Sequence, residues 1–148
     1  MKRTLTLLLI VVAAIAGASA ANRLSSRTCS MDAPDGYTYN KTISETMNME
    51  VYTPADSRGA IAFGVQEAQG DITPSALATV LANALIKDGV HTTMVTADGT
   101  PVHLVTSKDG DTVLAIAGDK NDKSYTVVIF NGASAAQAPQ LLKSFKKK

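Results

Sequence analysis

Two Asp-Gly pairs, Asp98-Gly99 and Asp109-Gly110, constrain this chain most, because each stands between runs that alternate apolar and polar residues. Asp-Gly in that setting is the strongest short-range hairpin signal, since a type I′ turn needs positive φ at both central positions. Val90 to Thr96 therefore meets Pro101 to Ser107, which in turn meets Thr112 to Ala117. The loop Asp119-Lys120-Asn121-Asp122-Lys123 leads to a fourth strand, Tyr125 to Phe130, and Asn131-Gly132 ends the run. Strands joined this tightly pair with their sequential neighbours in an antiparallel meander.

The elements on either side set the fold class. Gly59 to Glu67 reads as a strand with Ile61, Phe63 and Val65 on one face and Ala60, Ala62 and Gly64 on the other. Large residues on one side and small ones opposite imply packing on both faces. Met47 to Thr53, ended by Pro54, and Tyr37 to Ile43 read as earlier strands. Thr73 caps a helix over 74–88 that opens on Pro74, where a missing N–H costs nothing. Its apolar stripe is Leu77, Val80, Leu81, Ala84 and Leu85, and Gly89 is its expected left-handed stop. Ala133 to Lys148 reads as a closing helix that buries Leu141, Leu142 and Phe145. Its Lys143, Lys146, Lys147 and Lys148 would complement the helix dipole. The expected fold is α+β, an antiparallel sheet of about six strands in the order β-β-α-β-β-β-β-α, with helices packed against it.

The beginning of the chain speaks to destination. Lys2 and Arg3 precede an uncharged run from Leu5 to Ala18, and Ala18-Ser19-Ala20 gives a small-x-small cleavage pattern. Residues 1–20 thus read as a signal peptide cut near Ala20, leaving a periplasmic or secreted protein with no permanent membrane span. Residues 21–36 read as a flexible mature N-terminus, and 37–148 as a single α+β domain. Cys29 is the only cysteine of the chain, so an exported form offers a buried thiol, a mixed disulfide or a Cys29-linked dimer.

Several chemistries find no support. Fourteen Lys and Arg against thirteen Asp and Glu give a net charge of +1, which argues against nucleic acid as partner. Only 5 % of residues are aromatic and none is Trp, so a sugar- or base-stacking platform is not expected. If Asp98-Gly99 is a two-residue loop, His103 opposes Met94 and His91 opposes Thr106, placing the two imidazoles on opposite faces. That arrangement, with no cysteine cluster, leaves no metal site and no cofactor in the reading. Asp109, Asp111, Asp119, Asn121 and Asp122 put oxygens into turns, but not at EF-hand spacing. Gly132-Ala133-Ser134-Ala135-Ala136 lacks the second glycine of a nucleophile elbow. Glu45 and Glu50 are a possible acid–base pair. Tyr37, Tyr39 and Tyr52 bring aromatic area to the least regular part of the chain and are the candidate ligand- or partner-binding residues.

Three stretches carry a family resemblance. Pro34-Asp35-Gly36-Tyr37 resembles the early turn of the PsbP-like and DcrB-like family of small exported domains. Met49-Glu50-Val51-Tyr52-Thr53-Pro54 with Ala60-Ile61-Ala62-Phe63-Gly64-Val65 resembles that family's first hairpin, and Leu141-Leu142-Lys143-Ser144-Phe145-Lys146 its closing helix. The resemblance implies an antiparallel sheet with helices against it and an accessory or assembly role without a shared active site. The chain is poorer in aromatics than richer members of that family. The expected function is therefore an exported, non-enzymatic binding or accessory domain of the cell envelope, acting on an unidentified protein or small ligand. The alternative is a small periplasmic hydrolase or metal-dependent enzyme whose site assembles across strands.

Overall fold

The computed structural model describes residues 22–148 except 69 and 71; the signal-peptide reading lies outside them. The strands are β1 (Asn22–Ser25), β2 (Cys29–Ala33), β3 (Thr38–Tyr39), β4 (Glu50–Thr53), β5 (Gly59–Glu67), β6 (Val90–Val95), β7 (Pro101–Thr106), β8 (Thr112–Ala117), β9 (Ser124–Gly132) and β10 (Lys146–Lys147). The helices are α1 (Lys41–Met47), α2 (Pro74–Leu85) and α3 (Ala138–Leu142), the last preceded by a 3-10 turn at Ala135–Gln137. A seven-stranded antiparallel sheet runs β3-β4-β5-β9-β8-β7-β6, and a three-stranded sheet runs β10-β2-β1. The fold is α+β with helices packed on an antiparallel sheet, as the residue pattern implied.

The alternation within the large sheet decides what lies on each face. Ile61, Phe63, Val102, Leu104, Val113, Val128 and Phe130 join Leu24, Cys29 and Met31 of the small sheet, with Leu142 and Phe145, in one core. On the opposite face Val105, Leu114, Ile116, Tyr125 and Val127 pack beneath Leu77, Ala78, Ala82 and Ile86 of α2. Successive residues of a strand point to opposite faces, so β8 is buried on both sides and reads almost continuously apolar.

Helix α2 begins where its cap and proline place it, with Thr73 Oγ1 accepting from the Ala76 N–H. Its buried face is rotated from the expected stripe: Leu77, Ala78 and Ala82 face the sheet, while Val80 and Leu85 are exposed. The small alanines let the helix lie close, so side-chain size overrides the bare apolar period. The helix ends at Leu85, and Asp88, not Gly89, takes the left-handed conformation.

Three expectations are corrected. The stretch 21–36 is not loose in its described part, because β1 and β2 form the small sheet and alternate Cys29, Met31 and Ala33 into the core. The strand expected over Tyr37 to Ile43 shrinks to Thr38–Tyr39, and α1 follows, capped by Asn40, whose Oδ1 accepts from the Ile43 N–H. The closing helix covers only Ala138–Leu142, and beyond it Lys146 and Lys147 pair with Ser30 and Cys29 as an edge strand. These lysines therefore extend a sheet rather than complementing a helix end.

The clasp between the last strand and the rest is held by several polar contacts. Ser144 Oγ accepts from the Asp32 N–H, the Lys148 N–H donates to the Thr28 carbonyl, and the Lys147 N–H donates to Asp98 Oδ2. Partial burial alone would raise the Asp98 carboxyl. The hydroxyls of Thr96 and Thr100 and the N–H groups of Lys147 and Thr100 overcome that, lowering it from 3.8 to about 2. A depressed carboxyl stabilises the fold above its unfolded value, and the contribution disappears as pH falls from 3.8 through about 2. Asp98 is largely exposed, so after solvent screening the contribution is about 1 kcal/mol. Asp98→Asn is expected to lower the melting temperature at pH 7, with the gap to wild type closing over that acid window in a pH series of thermal melts.

Candidate functional site

The candidate site forms where β4 stops short of its neighbour. β4 pairs with β5 only from Glu50↔Phe63 to Tyr52↔Ile61, so beyond Phe63 the outward edge of β5 has no strand beside it among the described residues. A groove of about 560 Å³ occupies this corner, lined among others by Arg27, Tyr39, Glu45, Glu50, Phe63 and Val65. Tyr39 and Tyr52 pair directly across β3 and β4, which stacks their rings edge-to-face at 5.6 Å. Tyr52 in turn meets Phe63 edge-to-face at 6.0 Å. The result is an aromatic row running from the core to the surface, with Tyr39 53 % exposed at its outer end.

The structure brings two of the three candidate tyrosines together and separates the third. Tyr37 is buried in the core, with its hydroxyl against Gly59, and does not reach the groove. Tyr52 is half-buried and donates its hydroxyl to the Ser25 carbonyl at 2.7 Å. Burial pushes its phenol up, and the nearby Glu50 carboxylate adds to the effect. Tyr52 therefore anchors the small sheet while supporting Tyr39.

Glu45 and Glu50 do share the groove, as an acid–base pair would require, but both Glu50 oxygens accept from the Arg27 N–H at 3.1 Å. That carboxylate is committed to fixing the β1–β2 turn. Arg27, brought in by this turn, is a groove residue the sequence reading missed. Its only signal was its basic side chain in a polar stretch that also holds Arg23.

The other candidates fall elsewhere. Cys29 is fully buried, with Ser26 Oγ 3.2 Å from its sulfur, and burial pushes its thiol up. A Cys29–Cys29 bridge would need the small sheet to open. Ser134 is buried, and its hydroxyl lies within hydrogen-bonding distance of the Ala60 and Asn131 carbonyls. Asp109 accepts from Ser107 Oγ and the Asp111 N–H, whereas Asp122 accepts from the Asp119 N–H and Lys147 Nζ. The two acidic loops lie at opposite ends of β8, and each holds its own turn. Among the described residues no group of three or more His, Cys, Asp or Glu is placed to hold a metal ion.

The histidine register is the clearest correction. Thr93 pairs with His103 and His91 with Val105, one residue away from the two-residue-loop register. Asp98 keeps negative φ and only Gly99 is left-handed, at +85°, so the loop takes one more residue than a type I′ turn. Asp98 favours this form by accepting hydrogen bonds from Thr96 and Thr100 on both sides of the turn. A slip of one residue inverts the faces, and His91 and His103 lie on the same side of the sheet.

The architecture is that of a small PsbP-like α+β domain. The solution structure of cyanobacterial PsbP (CyanoP) from Synechocystis sp. PCC 6803 superposes with a TM-score of 0.61, covering 93 % of this chain and 99 % of that one at 12 % identity. No family model matches the sequence, and no curated protein matches it either. The likeness is one of fold.

Proposed function

We propose that this protein is an exported, non-enzymatic accessory domain of the cell envelope that holds a protein partner along the Tyr39 groove. The reading rests on one observation: an exposed aromatic, backed by Tyr52 and Phe63, stands beside a sheet edge with no described neighbour. An extended segment can add to such an edge through main-chain hydrogen bonds, while side-chain pockets supply selectivity. Tyr39 offers the apolar anchor, and Arg27 and Glu45 offer charges of both signs at the rim. The PsbP-like fold is consistent with an accessory role, and the leader-like segment at 1–20 with export. Among the described residues no helix is long and apolar enough to cross a membrane.

Affinity capture from the native envelope tests this, with wild type compared against Tyr39→Ala and Val65→Arg. Val65 is exposed, and its replacement is expected to move stability by no more than about 0.5 kcal/mol. Tyr39→Ala also forfeits the edge-to-face pair with Tyr52, about 1 kcal/mol, so thermal melts confirm that both variants stay folded. The expected result is a partner retained by wild type and lost by both variants. A partner retained equally by all three would place binding elsewhere on the molecule.

A further inference from the structure

His91 on β6 and His103 on β7 are diagonal neighbours on one sheet face, across the pairs His91↔Val105 and Thr93↔His103. Diagonal positions stand about 7–8 Å apart, a span that two imidazoles can close onto one ion at metal–nitrogen bonds of about 2.0–2.1 Å. His91 and His103 both line a single groove of about 280 Å³ together with Ser75 of α2 and Thr93. His91 is exposed and His103 half-buried, and β6 is the outermost strand of the sheet, so the groove is open to solvent. No described residue hydrogen-bonds either ring, which leaves the ring nitrogens available as ligands. No carboxylate lines the groove among the described residues, so its donors are nitrogen-dominated and unsuited to calcium or magnesium.

We propose that His91 and His103 form a two-imidazole site for a late first-row divalent cation, with water completing the coordination. Imidazole donors suit Cu²⁺, Ni²⁺ and Zn²⁺, and affinity follows the order in which Cu²⁺ binds tightest. Helix α2 bounds the groove on one side, so a bound ion sits between the helix start and the sheet edge. The site is independent of the Tyr39 groove, which lies at the opposite edge of the seven-stranded sheet.

Calorimetric titration of the purified protein with Zn²⁺ provides the test, using His91→Gln, His103→Gln and Thr93→His, with thermal melts confirming that each variant folds. One ion per chain is expected, and either Gln variant should weaken binding roughly tenfold or more. Thr93→His places a third imidazole directly opposite His103 and should tighten binding by a similar factor. The proposal is overturned if wild type shows no saturable binding. It is equally overturned if each Gln variant removes half the sites at unchanged affinity, or if Thr93→His has no effect.

Discussion

Phe145→Ala should lower the stability of the fold by about 4 kcal/mol, the largest effect expected of any single substitution considered for this protein. Phe145 has no exposed surface and sits in the core shared by the two sheets and α3. Removing the ring forfeits its burial and leaves a cavity that rigid neighbours such as Phe130 and Leu142 cannot fill. The position also joins α3 to β10, with its N–H donating to the Leu142 carbonyl. A void there loosens the pairing of β10 with β2 as well as the core. Urea unfolding followed by far-UV circular dichroism measures the loss. A change below about 1 kcal/mol would mean that the ring does not bridge the layers as described.

Gly132→Ala should cost about 3 kcal/mol, for a reason unrelated to buried apolar area. Gly132 holds φ at +63°, where an L-residue pays about 1–2 kcal/mol. A Cβ there would also collide with the Arg58 carbonyl oxygen and meet the Gly59 Cα at 3.1 Å. Both obstacles are backbone and cannot rotate away, so β5 and β9 must part locally, adding strain of the kind seen in overpacked cores. Gly99→Ala supplies the comparison: its φ is also positive, but a Cβ there meets nothing within 4 Å. If the two alanine variants unfold at the same urea concentration, the close approach at Arg58 is not the source of the effect.

The parts of the fold legible in the sequence were those specified by near neighbours. Thr73 and Pro74 mark the start of α2 by capping chemistry alone, and the alternating runs around Asp98-Gly99 and Asp109-Gly110 mark the meander. The small sheet was not legible, although Cys29, Met31 and Ala33 alternate as a half-buried strand should. Its second partner lies at Lys146 and Lys147, and no local turn announces a pairing over that distance. Helix α1 was hidden because Tyr37, Tyr39, Thr42 and Ile43 are strand-favouring types, whereas its cap is the single residue Asn40.

The candidate site divides along the same line. Tyr39 and Tyr52 could be picked out as aromatics in an irregular stretch, and the structure stacks them. Tyr37, chosen by the same logic, is a core residue, because residue type alone does not separate a ring that packs inward from one that faces water. The histidines show how much hangs on one loop residue. Their placement on one face follows from whether the turn holds two residues or three, and Asp98 decides that through its side chain, not its backbone.

The clasp of β10 onto β2 is expected to close late in folding. Asp32 and Ser144, joined across it, are 112 residues apart in sequence, so the small sheet closes one of the longest loops the chain contains. Closing a long loop costs entropy before any contact repays it, and such non-local pairings slow folding. The meander and α2 rest on neighbouring segments and can form first, presenting the apolar face of Leu104, Val128 and Phe130 while it is still uncovered. Until the last strand arrives, that face is the surface by which a half-folded chain aggregates or is held by a chaperone.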